Sequence, residues 1–238
     1  VALRTAAVRG FAPMNGYWKA ELEWWLRLLA DWNRVAMMVP PAWLEPEHAA
    51  HMAPFTDASR ALGGDGRTYS GGAGAVFENL AMQFDFSDEE IMWLEICDLE
   101  GLVHVLWLAK LCERCPEKLT GKRFVTWCDN QAFVGAVNAH QSNEPTLAFL
   151  LEVLHDLMAR CSFDIRIEFV PSAENVAADA ASRGDWDRFY AYMRTHAGLE
   201  ASDIVMLNVQ AQRRSSWSLK LRSMRILQRK LKESQAQD

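Results

Sequence analysis

No stretch of the 238 residues stays apolar for the ~20 positions that a membrane-spanning helix needs. The richest run, Gly101 to Leu111, is too short and carries His104 and Lys110. A charged n-region followed by an apolar h-region is also missing at the start, so no secretory signal is read and an intracellular, non-secreted protein is expected. The first residue is Val1, which points to a piece of a longer chain. Cysteine is scarce: Cys97, Cys112, Cys115, Cys128 and Cys161 make an odd number scattered through apolar segments, the usage of reduced thiols rather than of a disulfide framework. Cys112 and Cys115 form a lone CxxC with no second pair to complete a zinc site, so they read as buried helix cysteines. A paired-aspartate turn between hydrophobic strands, the mark of a polymerase active site, is absent.

What is present is an ordinary globular composition, 50% hydrophobic and 24% charged, enough for one large domain with appendages. The 25 Lys and Arg against 31 Asp and Glu give a net charge of −6, but unevenly. Residues 213–238 hold eight basic and two acidic residues, a segment of +6 that leaves −12 on residues 1–212. An acidic body with a basic tail suits a fold that concentrates carboxylates around metal ions better than it suits a simple nucleic-acid binder.

Three regions emerge: a connecting segment over 1–50, a main domain over 51–198 and an extension over 199–238. In the first, Trp18, Leu22, Trp25, Leu26, Leu29 and Trp32 recur at helical spacing between charged residues, which predicts an amphipathic helix over 17–32. A proline-rich linker follows (Pro40, Pro41, Pro46, Pro54). The main domain opens with strands over 52–59, 72–77 and 80–86, with the glycine-rich Gly63-Gly64-Asp65-Gly66 after the first and a hairpin turn at Asn79. Ser87 is a candidate N-cap for one long helix that stops at Pro116. Strands over 122–128 and 163–170 alternate with helices over 130–139, 145–161, 174–183 and 185–196. Three strands joined by short turns, then strands separated by helices, predict an α/β fold: a mixed five-stranded sheet, antiparallel then parallel, flanked by helices.

Four acids fall where acids are locally costly. Asp57 lies within the first strand, Glu95 in the apolar stretch Ile91 to Cys97, Asp129 at the end of the fourth strand, and Asp179 in a helix of small residues. In a parallel crossover the strands of Asp57 and Asp129 lie side by side, about 4.8 Å apart. Glu95 would descend from the crossover helix and Asp179 from the last helix. Carboxylates gathered in this way repel unless cations bind, and hard divalent ions with oxygen ligands, two Mg²⁺ or Mn²⁺, resolve the repulsion. Such a pair serves phosphodiester hydrolysis. Taken singly, each acid also fits a cap or a turn: Asp129 precedes a helix and Asp57 sits near a bend.

Four motifs carry a family resemblance over residues 52–184: FTDAS, IMWLEICDLEGLVHVLWLA, GKRFVTWCDNQAFVGAVN and FVPSAENVAADAASR. In this order they resemble the ribonuclease H domain of retroelement reverse transcriptases, most of all DIRS-like elements. The upstream YWKAELEWWLRLLADWN resembles the segment that joins polymerase to ribonuclease H. The resemblance implies a ribonuclease H-like fold and hydrolysis of the RNA strand of an RNA–DNA hybrid. It also implies a polymerase domain upstream in a parent polyprotein, and Asp57, Glu95, Asp129 and Asp179 as catalytic metal ligands. No small-molecule cofactor is expected. Relatives often carry a histidine in the loop before the last acid; here that loop, Val170 to Ala173, has none, and His140 is the histidine to watch.

A hybrid is held mainly through its backbone, by cations and by amide and hydroxyl donors. Ser59, Arg60, Asn130, Gln131 and Asn138 lie near the acids and are the candidate contacts, though caps and turns explain them equally well. In the tail, Trp217, Leu221, Met224, Leu227 and Leu231 share a helical face ringed by basic residues, either a docking surface or a plain extension. The rival functions are another nuclease or transposase of the same architecture, and a decayed remnant that acts only as a scaffold.

Overall fold

The computed structural model describes residues 16–30, 55–62, 69–209 and 211–235. The proline-rich linker, Gly63 to Gly66 and the first residues of the strand expected from 52 lie outside them. The chain forms two compact units, 1–38 and 39–238. In the first, α1 (Gly16–Ala30) is the expected amphipathic helix, with Trp24 and Trp25 packed edge to face.

The second unit is built on a six-stranded sheet. β1 (Phe55–Ala58) lies at its centre. On one side β1 pairs antiparallel with β4 (Gly72–Phe77), which pairs antiparallel with β5 (Leu80–Asp85) through a tight turn at Glu78-Asn79. On the other side β1 runs parallel to β6 (Arg123–Cys128), and β6 runs parallel to β7 (Asp164–Phe169). This is the antiparallel-then-parallel connectivity expected of a ribonuclease H-like fold. A short β8 (Val205–Met206) adds a sixth strand, parallel to β5, and β2 (Ala61–Leu62) and β3 (Tyr69–Ser70) form a separate ribbon. The sequence reading has neither, because two-residue strands carry no alternation to detect.

Side chains alternate across the sheet with the period of a strand. Ala73, Ala75, Phe77, Leu80 and Met82 face α3 (Ile96–Arg114) and α6 (Pro145–Cys161), in a core with Leu102, Leu106, Trp107 and Leu150. Phe55, Val76 and Ala81 face α7 (Val176–Ser182) and α8 (Trp186–Tyr192), in a second core with Phe189 and Met193. The alanines of α7 and two glycines of β4 allow a very close approach: a Cβ on Gly74 would lie 2.1 Å from the Ala178 carbonyl oxygen, and one on Gly72 2.3 Å from that of Ser182. That intimacy carries the end of α7 to Asp57.

The expected helix over 87–115 is broken. α2 (Asp88–Trp93), capped by Ser87, ends at Leu94, whose backbone is extended, and α3 begins after Glu95. Glu95 is the N-cap of α3, its amide donating to Asp98 at 3.0 Å. Beyond α3 come the short α4 (Pro116–Leu119) and, after β6, α5 (Gln131–Asn138). Cys115 is buried at the end of α3 and Cys112 packs against the core, as expected of the CxxC. No helix among the described residues is long and apolar enough to cross a membrane.

The basic tail is α9 (Ala211–Gln235), and it lies on the body. Leu221 is fully buried, and Trp217 packs on the core. Arg214 bonds Glu90 at 2.6 Å, Arg222 bonds Glu89 at 2.5 Å, and Arg225 grips Asp98 with two bonds of 2.6 and 2.8 Å. Much of its positive charge is therefore spent on the acidic body.

Candidate active site

The parallel register that sets Phe55 beside Trp127 places Asp57 beside Asp129, two residues further along each strand. Asp57 is buried, and its carboxylate accepts a 2.5 Å hydrogen bond from Ser182 at the end of α7. Asp129, just past β6, accepts one of 2.8 Å from Ser172. Asp179, on α7, is held on both oxygens by arginines: Arg183 Nε at 2.7 Å and Arg188 at 2.6 Å. These three acids are close enough for Asp129 and Asp179 to raise the pKa of Asp57.

The acid that α3 brings to Asp57 and Asp129 is Glu100, and Glu95 lies elsewhere. Glu95 is exposed and lies 3.5 Å from Arg225, in a cluster with Asp98 and Glu144 on the α9 side. The helix break at Leu94 removes the continuous helix that would have carried it to the sheet. Glu100, inside α3, is only 7% exposed and hydrogen-bonds the side chain of Asn130. One turn further along α3, His104 is fully buried and bridges the hydroxyls of Thr56 and Thr126, at 2.9 and 3.0 Å, on the two strands that carry Asp57 and Asp129. Burial holds the His104 pKa at about 3, so the ring is neutral and ties α3 to the sheet. An acid one turn before a buried polar residue, on the stripe that faces the sheet, was the available signal for Glu100.

Burial pushes the Asp57 carboxyl up to about 7, with the charges of Asp129 and Asp179 adding to it and the Ser182 bond and Arg183 opposing it. Glu100 rises to about 8, again by burial first, then by Asp129 and Asp57. One oxygen of Glu100, Oε2, and one of Asp129, Oδ1, are buried without a hydrogen-bond partner. Ligand atoms of Glu100, Asp129 and Cys128 lie within 4.8 Å of one another. Burial raises the Cys128 thiol well above its ordinary range, so it stays protonated, and the donors left are hard carboxylate oxygens. Bare buried oxygens and elevated carboxyl pKa values are what a site built for a hard divalent cation shows without one. The residues fit such an ion.

The expected hybrid contacts divide. Ser59 and Asn138 serve the fold: the Ser59 hydroxyl donates to Ser182 O at 2.9 Å and accepts from Gly72 N–H at 3.0 Å, and both amide atoms of Asn138 bond the backbone of Ile167 on β7. Asn130 caps α5 by accepting from Phe133 N–H at 3.0 Å. Arg60 is exposed and bonds the Leu94 carbonyl, and Gln131 is exposed at the start of α5. His140 sits against His155, with ring nitrogens 3.2 Å apart. The sequence reading also missed Asn175, whose buried side chain donates to Thr56 O at 2.9 Å and pins the start of α7 to β1.

No family model and no curated protein matches the chain. Among solved structures it is similar to RNase H1 from the halophilic archaeon Halobacterium salinarum NRC-1, at 17% identity and a TM-score of 0.41, over 57% of this chain and 96% of that one.

Proposed function

We propose that the chain is a metal-dependent ribonuclease H that hydrolyses the RNA strand of RNA–DNA hybrids, as the ribonuclease H part of a retroelement reverse transcriptase with its polymerase upstream. The observation that carries this reading is the convergence of Asp57, Glu100, Asp129 and Asp179 from four separate elements, with bare buried oxygens on two of them. The four motifs support the retroelement setting. Glu100 and Asp129, with Asp57 beside them, would hold Mg²⁺ or Mn²⁺; bound there, such ions supply an activated water and stabilise the leaving oxygen.

The protein's own groups prepare that chemistry. Ser182 and Ser172 fix the carboxylates of Asp57 and Asp129, and His104 locks the helix of Glu100 to the strands beneath. Protons held by Asp57 and Glu100 near neutral pH leave when cations bind. The test is cleavage of a labelled RNA–DNA hybrid with Mg²⁺ or Mn²⁺ by the unmodified chain and by Asp129→Asn. Cleavage by the first and not the second is expected. Equal cleavage by both removes the mechanism, and no cleavage with no metal binding favours a scaffold.

A further inference from the structure

Arg183 and Arg188 approach the same carboxylate from different elements. Arg183 follows the end of α7, and Arg188 lies on α8. Each takes one oxygen of Asp179, through Nε and a terminal nitrogen respectively. Their side chains remain 60% and 42% exposed, while that of Asp179 is only 11% exposed. Each guanidinium thus has its position fixed from behind by a nearly buried carboxylate and keeps donors with no hydrogen-bond partner among the described residues: both terminal nitrogens of Arg183, and Nε and one terminal nitrogen of Arg188. A lone surface arginine must be immobilised when it binds; these two are held already, which lowers the entropic cost of using them.

We propose that Arg183 and Arg188 form a phosphate-contact pair, oriented by Asp179, that holds the nucleic-acid backbone at the rim of the acid cluster. The site behind them gathers four carboxylates, and a polyanion approaches more readily where cations of the protein offset their charge. Two forked guanidiniums match phosphate oxygens in geometry as well as in sign. Asp179 is therefore a positioning residue for the pair in addition to being one of the four gathered acids. This rests on the ribonuclease H reading above and extends it to residues outside the four acids.

The experiment is anisotropy binding of a labelled RNA–DNA hybrid across a salt series, with the full chain in an Asp129→Asn background so that the probe survives. Arg183→Ala and Arg188→Ala should each weaken binding about 5–20-fold and lower the log–log salt slope by about one. Arg183→Lys should recover the slope but not the full affinity, because an ammonium restores the charge and not the fork. Arg160→Ala, which removes an exposed cation paired with Asp156 on α6, is the control and should change neither. Unchanged affinity and slope in both arginine variants, or an equal loss in Arg160→Ala, overturns the proposal while leaving the nuclease reading intact. Failure of the background chain to prefer hybrid over duplex DNA overturns both. Circular dichroism melts identify any variant that has unfolded, and Arg188→Gln then replaces it.

Discussion

Helix α3 carries two buried acids a turn or less apart, and the molecule treats them in opposite ways. Asp98 is fully buried and is gripped by Arg225 through two short bonds, while the same arginine reaches Glu144 at 2.8 Å. Glu100, two residues later, is buried almost as deeply but meets other carboxylates and keeps an oxygen with no partner. One acid is neutralised by a cation from the far end of the chain. The other is left needing a cation the chain does not supply. Buried charge that serves the fold is paired; buried charge that serves chemistry is kept under tension.

Breaking the paired side should produce the largest effect. Arg225→Ala strands Asp98 without its partner and should cost about 3–5 kcal/mol, read by urea denaturation. Arg225→Met together with Asp98→Leu should recover most of that loss, since removing both charges removes the penalty. On the unpaired side, Glu100→Gln should reduce hybrid cleavage by more than about 100-fold, beyond what loss of an outer partner of a metal ligand typically costs. The variant's thermal stability without metal should rise relative to the unmodified chain above about pH 8, where Glu100 is ionised, because a repelling charge is gone.

Acidity sharpens the contrast next. Asp57 and Glu100 have folded pKa values of about 7 and about 8, above those of an unfolded chain. The folded state therefore keeps protons that the unfolded state has released, and the metal-free protein should lose stability as pH rises from about 5 to about 8. Bound Mg²⁺ offsets this, so the rise in melting temperature on adding Mg²⁺ should be larger at pH 8 than at pH 6, and the stabilisation should reach about 2.7 kcal/mol at a hundredfold excess over Kd. Glu90, whose carboxyl is held below its ordinary value by Arg214 despite its burial, works in the opposite sense: its stabilisation is lost as pH falls through the acid range. The smallest effect belongs to Arg222→Ala, whose partner Glu89 is mostly exposed, and which should cost no more than about 1 kcal/mol in the same denaturation measurement.

The parts of this contrast that were legible in the sequence are those set by local pattern. The hairpin of β4 and β5, the strands holding Asp57 and Asp129, and the small-residue helix holding Asp179 all follow from periodicity and turn residues within a few positions. Glu95 was expected to descend onto the sheet because the sequence around it reads as one continuous helix, while the break at Leu94 depends on how Leu94 and Ile91 bury and how Asp98 caps the new helix. Both acids lie in the same motif, and only the packing of α3 on the sheet decides between them. The tail was ambiguous for a related reason: that Arg225 finds Asp98, and Arg214 finds Glu90, is a matter of tertiary contact between residues far apart in the chain. Arg183 and Arg188 likewise show their purpose only once α7 and α8 are placed against each other.

Calorimetric titration of Mg²⁺ into the metal-free protein at pH 8, for the unmodified chain, Glu100→Gln and Glu95→Gln in parallel, goes most directly to the heart of this account. Glu100→Gln should weaken binding by at least about tenfold, and Glu95→Gln should leave it within about twofold of the unmodified chain. Full binding by Glu100→Gln, with loss in Glu95→Gln, would return the fourth acid to position 95 and contradict the site described above.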